Sequence, residues 1–337
     1  MKRVLKIRGM RPALTAFAGL FIIYIAFGLI NPMVFSPNNI RNLLRSMSKY
    51  LLIGVGQSYV LITANIDLSI GSVVGMSAMI SATLMSKGMY VLPAIMITIA
   101  ACLMIGVING VLVGNFKLPP FIATLGTMFF ARGIAYIVNN NRNTDAISSG
   151  IGKEAADSMQ NFFYNGSTLG VYNTFWIAIT LFVVFFFLLS KTRTGRHIYA
   201  IGSNLEAAKL SGVNAQTTTI KTYLVSAICS CVVGLILCGQ SGMGNMEAGL
   251  MYEMYGVAAG VIGGVSPMGG TGLLLGTLAG AGVWQTLENG LNMIGAQVGI
   301  QRIVIGMIVV FAVLLDVILR SGNGLKKNKA NVNKDAK

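Results

Sequence analysis

The stretch VLPAIMITIAACLMIGVINGVLVG, residues 91–114, decides the fold. It carries no charged side chain from end to end, and as a helix it is long enough to cross the roughly 30 Å hydrocarbon core of a bilayer. Gly106, Gly110 and Gly114 recur every four residues. That spacing leaves one helix face bare, so a second backbone can lie against it. Lipid, not water, is the solvent such a segment is built for.

The same signal recurs along the chain. Of 337 residues, 54% are hydrophobic and only 10% are charged, where soluble domains carry about a quarter. Apolar runs predict ten spans near 13–30, 50–65, 68–86, 91–114, 119–138, 173–190, 222–240, 252–265, 272–290 and 300–319. The expected fold is an all-α integral membrane bundle of about ten transmembrane helices. One transmembrane domain covers 1–320, and the basic tail 321–337 has the composition of a disordered segment. The basic head Met1–Arg11 before the first run resembles a signal peptide. No small-residue cleavage site follows, so a retained first span is expected.

The net charge of +15 is distributed by topology. With the N-terminus inside, the inner segments gather Lys2, Arg3, Lys6, Arg8 and Arg11 in the head. They also take Lys117, then Lys191, Arg193, Arg196, Lys209 and Lys221 in the loop 191–221, and Arg320, Lys326, Lys327, Lys329, Lys334 and Lys337 toward the end. The outer segments hold fewer: Arg41, Arg45, Lys49, Lys87, Arg142 and Lys153. This is the positive-inside pattern, with both termini cytoplasmic in a bacterial inner membrane. It requires an even number of spans between the basic segments, and therefore the short candidate at 252–265. Basic residues that flank apolar runs in this way give no reason to expect nucleic acid.

Residues 38–49 have helical apolar spacing, Ile40, Leu43, Leu44 and Met47, and predict an amphipathic helix in the outer interface. The polar loop 139–172 is either a solvated connector or a docking surface. Cys102, Cys229, Cys231 and Cys238 lie in apolar stretches without metal-ligand spacing and are expected as buried small hydrophobes. Glu288 and Arg302 lie near the same ends of their helices and could pair; Asp316 can snorkel. The glycine series Gly256-Gly260-Gly264 and Gly272-Gly276-Gly280 predict further close packing.

Two segments cannot be continuous helix. Residues 263–272 are dominated by glycine and proline and must form a turn or broken helix at a membrane face. In 63–72, Asn65 and Asp67 interrupt two apolar runs. Asp67 reads first as a cap for a helix starting at Leu68; an ionisable residue at such a depth is also a functional candidate.

The loop 191–221 contains a further helix signal. Ser203 and Glu206 have capping-box spacing, and Gly212 is placed to end a helix of about eight residues, too short to stand alone. It packs on its own chain or docks into a cytoplasmic partner.

Here the sequence resembles the permease subunits of bacterial ATP-binding-cassette importers, in the ribose and galactoside branch. The resemblance rests on Asn65-Ile66-Asp67-Leu68-Ser69-Ile70-Gly71-Ser72, on Leu118-Pro119-Pro120-Phe121-Ile122-Ala123-Thr124-Leu125-Gly126-Thr127, and on the pair 201–213 and 262–272. It implies an architecture similar to cobalamin-importer permeases. It implies that the helix Asn204–Ser211 couples to an ATPase subunit, with Gly202, Ser203, Asn204, Leu205, Glu206, Ala207, Ala208 and Gly212 at that contact. Asn65, Asp67, Ser69, Phe121 and Thr124 become candidate pathway or gating residues. Implied partners are the cytoplasmic ATPase, an extracytoplasmic sugar-binding protein and a second permease, the same chain or a paralogue. ATP and magnesium would sit on the ATPase, since this chain has no phosphate-cradling GxxxxGK[ST] loop. Where the family often has Gly-Gly before Ile-Asp-Leu-Ser, this chain has Ala64-Asn65, so its sugar need not be ribose.

An ion-coupled secondary transporter is the alternative, but neither an internal repeat nor an intramembrane ionisable relay is evident. A membrane enzyme is disfavoured: no HExxH or GxSxG occurs, no catalytic or metal-ligating set is evident, and the lone His197 reads as a surface residue.

Overall fold

The computed structural model describes residues 10–304 and, beyond them, 306, 307, 310 and 314. The head 1–9, the tail 321–337, Asp316 and most of the last candidate span lie outside the described residues; 298–304 is helical. The main helices are α1 (Met10–Ile30), α2 (Pro37–Ile62), α3 (Ile70–Ser86), α4 (Val91–Gly114) and α5 (Pro120–Ile137). The short α6 (Ser148–Ile151) and α7 (Lys153–Gln160) follow, and a two-residue hairpin pairs Ser167–Thr168 with Val171–Tyr172. Then come α8 (Asn173–Lys191), α9 (Arg193–Ser203), α10 (Leu205–Leu210), α11 (Ala215–Ser241), α12 (Tyr252–Ile262) and α13 (Leu274–Met293).

Among the described residues five helices, α1, α4, α5, α8 and α11, are long and apolar enough to cross a membrane. Burial sorts them: α11 has 72% of its apolar window buried, the other four only 17–28%. Thus α11, with α2 and α3, forms the centre, and the other four present apolar side chains outward to lipid. The glycine faces explain how the centre closes. A Cβ on Gly106, Gly110 or Gly114 would meet Ala227, Ile220 or Gln216 of α11 respectively. In the same way Gly276 and Gly280 of α13 lie against the carbonyls of Gly263 and Ala259. All four cysteines are buried.

Three expectations change. The interfacial helix at 38–49 is not separate: α2 runs unbroken from Pro37, capped by Ser36, to Ile62. No breaker separates Lys49 from Tyr50. The Arg45 guanidinium is sheltered between the rings of Tyr164 and Tyr172, at 4.4 and 4.0 Å. Second, α12 has only 11 residues, about 17 Å of helix, so the crossing at 252–265 is completed by an unwound approach through 243–251. Third, Glu288 does not pair with Arg302. It accepts a hydrogen bond from Tyr50 Oη at 2.7 Å, and Glu206–Lys209 is the single ion pair among the described residues.

Candidate functional site

The break between α2 and α3 becomes a buried polar knot. Asp67 Oδ1 accepts from the Ser69 N–H at 2.9 Å and from Ser69 Oγ at 2.6 Å. Its Oδ2 accepts from Ser226 Oγ of α11 at 2.7 Å. Asn109 of α4 donates to Ser69 Oγ at 2.9 Å and accepts from Thr127 Oγ1 of α5 at 2.6 Å. Tyr223 Oη of α11 reaches the Ile66 carbonyl at 3.1 Å. Asp67, Ser69, Asn109, Thr127 and Ser226 are all buried. One carboxylate thus ties the turn to α11 and, through Ser69, to α4 and α5; buried networks hold geometry when every member is satisfied.

The cap reading of Asp67 is corrected accordingly. The helix starts at Ile70, Ser69 occupies the N-cap position without a side-chain cap bond, and Asp67 instead forms an Asx-type turn two residues upstream. Of the candidate pathway residues, Asp67 and Ser69 are joined. Asn65 donates locally to Thr63 Oγ1 at 2.9 Å. Thr124 is buried and bonds the Pro120 carbonyl, one turn from Thr127, whereas Phe121 points outward and is exposed. The sequence reading missed Asn109, Thr127, Ser226 and Tyr223. Asn109 is the one amide in the run 91–114; a polar group in a lipid-facing sequence needs a partner, and that need was the available signal.

The loop 191–214 forms a second unit at the end of the bundle where α2 finishes. Ser203 closes α9 and so is not the N-cap of the short helix; that role belongs to Asn204, whose Oδ1 accepts from the Ala207 N–H at 2.9 Å. Glu206 is released from the capping box and pairs with Lys209 at 2.7 Å. The hydrogen bond from the Lys209 ammonium holds the Glu206 carboxyl below the ordinary glutamate range. Gly212 ends the helix at φ +80°. Val213 N–H bonds the Ala208 carbonyl and Gly212 N–H the Lys209 carbonyl, the Schellman arrangement. Ala208 faces inward, while Leu205 and Leu210 are exposed, Leu210 at 91%.

Gly202 locks this unit to the bundle. Any Cβ there would run into the Ile62 carbonyl at the end of α2. The same carbonyl accepts from the Gly270 N–H at 2.8 Å, and Tyr199 Oη bonds the Gly272 carbonyl at 2.8 Å. The glycine-rich turn 263–272, with Gly264, Gly269, Gly270 and Gly272 all at positive φ, therefore meets the ends of α2 and α9 at one junction. Among the described residues no cluster of His, Cys, Asp and Glu could hold a metal ion.

Residues 39–313 match the family described as branched-chain amino acid transport system permease component. Similar proteins include the ribose import permease protein RbsC of Haemophilus influenzae, 36% identical over 89% of this chain and 92% of the relative. The galactose/methyl galactoside import permease protein MglC of the same organism is 33% identical over 88% and 92%. The D-allose transport system permease protein AlsC of Escherichia coli is 32% identical over 88% and 89%. No solved structure matches the chain. With glycine-faced helices closed around a satisfied polar knot and a match covering most of its length, this chain is a non-catalytic, multi-pass membrane subunit of a bacterial import system and belongs to the branched-chain amino acid transport system permease family.

Proposed function

We propose that the chain forms the translocation pathway of an ATP-driven importer for a monosaccharide. The substrate class rests on the relatives, which are sugar import permeases along nearly their whole length. The coupling role rests on the observation that α10 presents Leu205, Leu210 and the Glu206–Lys209 pair outward while Gly202 clamps its base to α2. A six-residue helix with exposed leucines is stabilised by a second surface, and a cleft on a cytoplasmic ATPase supplies one. ATP and magnesium belong to that ATPase.

Closure of the ATPase pushes α10. The push reaches Ile62 through Gly202, and from Ile62 the turn 63–69 carries it to the Asp67 knot and thus to α4, α5 and α11. The partner must contact α10 differently in the inward- and outward-open states, since only differential contacts shift the equilibrium. The loop 191–221 and both termini are cytoplasmic, and the loop 139–172 faces the sugar-binding protein outside. A second permease, the same chain or a paralogue, completes the pathway.

Reconstitution with ATPase and binding protein tests the reading. ATP-dependent uptake of D-ribose, D-galactose or D-allose is expected. Uptake of leucine alone would favour the substrate in the family's description, and sugar uptake without the ATPase would favour an ion-coupled carrier.

A further inference from the structure

Between α11 and α12 the chain runs unwound through 243–251, and it descends from the loop residues Asn143 and Thr144 into the bundle. The carbonyls of Met246 and Ala248 accept from Arg132 Nη1 at 2.8 and 2.9 Å, and Nη2 bonds the Gly71 carbonyl at 3.1 Å. Arg132 lies five residues from the Ile137 end of α5, about 8 Å along the axis. Gly249 lies against Gly71 and Val74 in the first turns of α3. Ser86, at the other end of that helix, is about 22 Å away along its axis. Backbone without helical bonds is tolerated at such depth only where protein buries it or water reaches it.

Both conditions occur along this segment. Gly244 and Gly249 are buried, and Thr144 and Asn143 satisfy the N–H groups of Gly244 and Met246 at 2.8 and 3.0 Å. Asn245 and Glu247, however, are exposed. Asn245 lies beside the loop residues Asn143 and Thr144, but Glu247 sits between the two carbonyls that Arg132 holds, and a carboxylate open below the end of α5 is costly against hydrocarbon. Met243, Leu250 and Met251 are exposed beside them. Acceptors mixed with apolar side chains suit an uncharged polyhydroxyl solute, which has hydroxyls and C–H faces in one molecule.

We infer that residues 243–251 form a constriction in a water-filled sugar pathway and that Arg132 is its positioning residue. The assignment to sugar rests on the importer reading; the wet constriction does not. Loss of the guanidinium fork frees two carbonyls of the segment and one of α3, and the constriction loosens.

The test uses the permease assembled with its ATPase and binding protein in proteoliposomes. Glu247→Cys and Leu250→Cys, the latter exposed beside Gly249 at the first turns of α3, are treated with a charged methanethiosulfonate and, separately, with a lipid-soluble maleimide; the native cysteines are all buried. Labelling by the charged reagent is expected at both positions. Labelling by the lipid-soluble reagent alone, or by neither, overturns the constriction. In Arg132→Lys, ATP-independent efflux of preloaded radiolabelled D-ribose should rise about tenfold, the shift that one lost charge-assisted hydrogen bond makes in a two-state equilibrium. Unchanged efflux at normal protein yield overturns the positioning role. If that variant fails to accumulate, Asn143→Ala loosens the same segment from the loop side, and its efflux decides in the same way. Absence of ATP-driven uptake in the native assembly would remove the importer reading while leaving the labelling result standing.

Discussion

Asp67 satisfies three donors with two oxygens in a site closed to solvent. Asp67→Ala strands the hydroxyls of Ser69 and Ser226 and should cost about 2–5 kcal/mol, read as a lowered midpoint of thermal unfolding in detergent. Ala64, three residues earlier, holds φ +60°, a left-handed conformation that costs a residue with a Cβ about 1–2 kcal/mol. Ala64→Gly should therefore raise stability by about 0.5–1 kcal/mol after the looser unfolded chain is allowed for. The departure from Gly-Gly noted in the sequence thus has a backbone meaning before it has a substrate meaning. Residue type made Asp67 conspicuous, but its partners lie 42 and 159 positions away, on α4 through Ser69 and on α11. Local spacing offered only Leu68, and hence the cap.

Elements were more legible than residues. Spans such as α4 and α5 fall where apolar runs place them, because in lipid the backbone must satisfy itself and composition alone sets the limits. The glycine faces were legible for the same reason. Gly110→Leu should wedge α4 from α11, since a Cβ alone already meets Ile220, and lower stability by about 1–3 kcal/mol without changing insertion. Less legible was the start of α2: Arg41 and Arg45 mark an interface in sequence, while the rings that shelter Arg45 come from the distant loop. The short helix was found at the right place with the wrong cap, because Ser203 and Asn204 are both good caps and only the end of α9 chooses between them. Glu206→Ala or Gly212→Ala should reduce co-purification of the ATPase while the permease still reaches the membrane; Gly212→Ala adds about 1–2 kcal/mol of strain at its φ of +80°. Unchanged ATPase yield would remove α10 from the coupling role.

At the scale of the molecule, parity of basic segments gives an expected orientation, and side-specific labelling tests it. Cysteines introduced between 204 and 212 should react only from the cytoplasm in intact cells; reaction from outside would invert the topology. Periodicity leaves 243–251 between two spans, but it could not reveal that the segment packs into the bundle, because the groups that hold it, Arg132, Asn143 and Thr144, lie on a distant helix and loop. The unbroken α2 carries a consequence of its own. Its 26 residues make a rod of about 39 Å, longer than the hydrocarbon slab is thick, with no proline after its first position to act as a joint. A displacement delivered at Ile62 would therefore be carried along one stiff lever toward Ser36, with no proline joint between the two ends to absorb it.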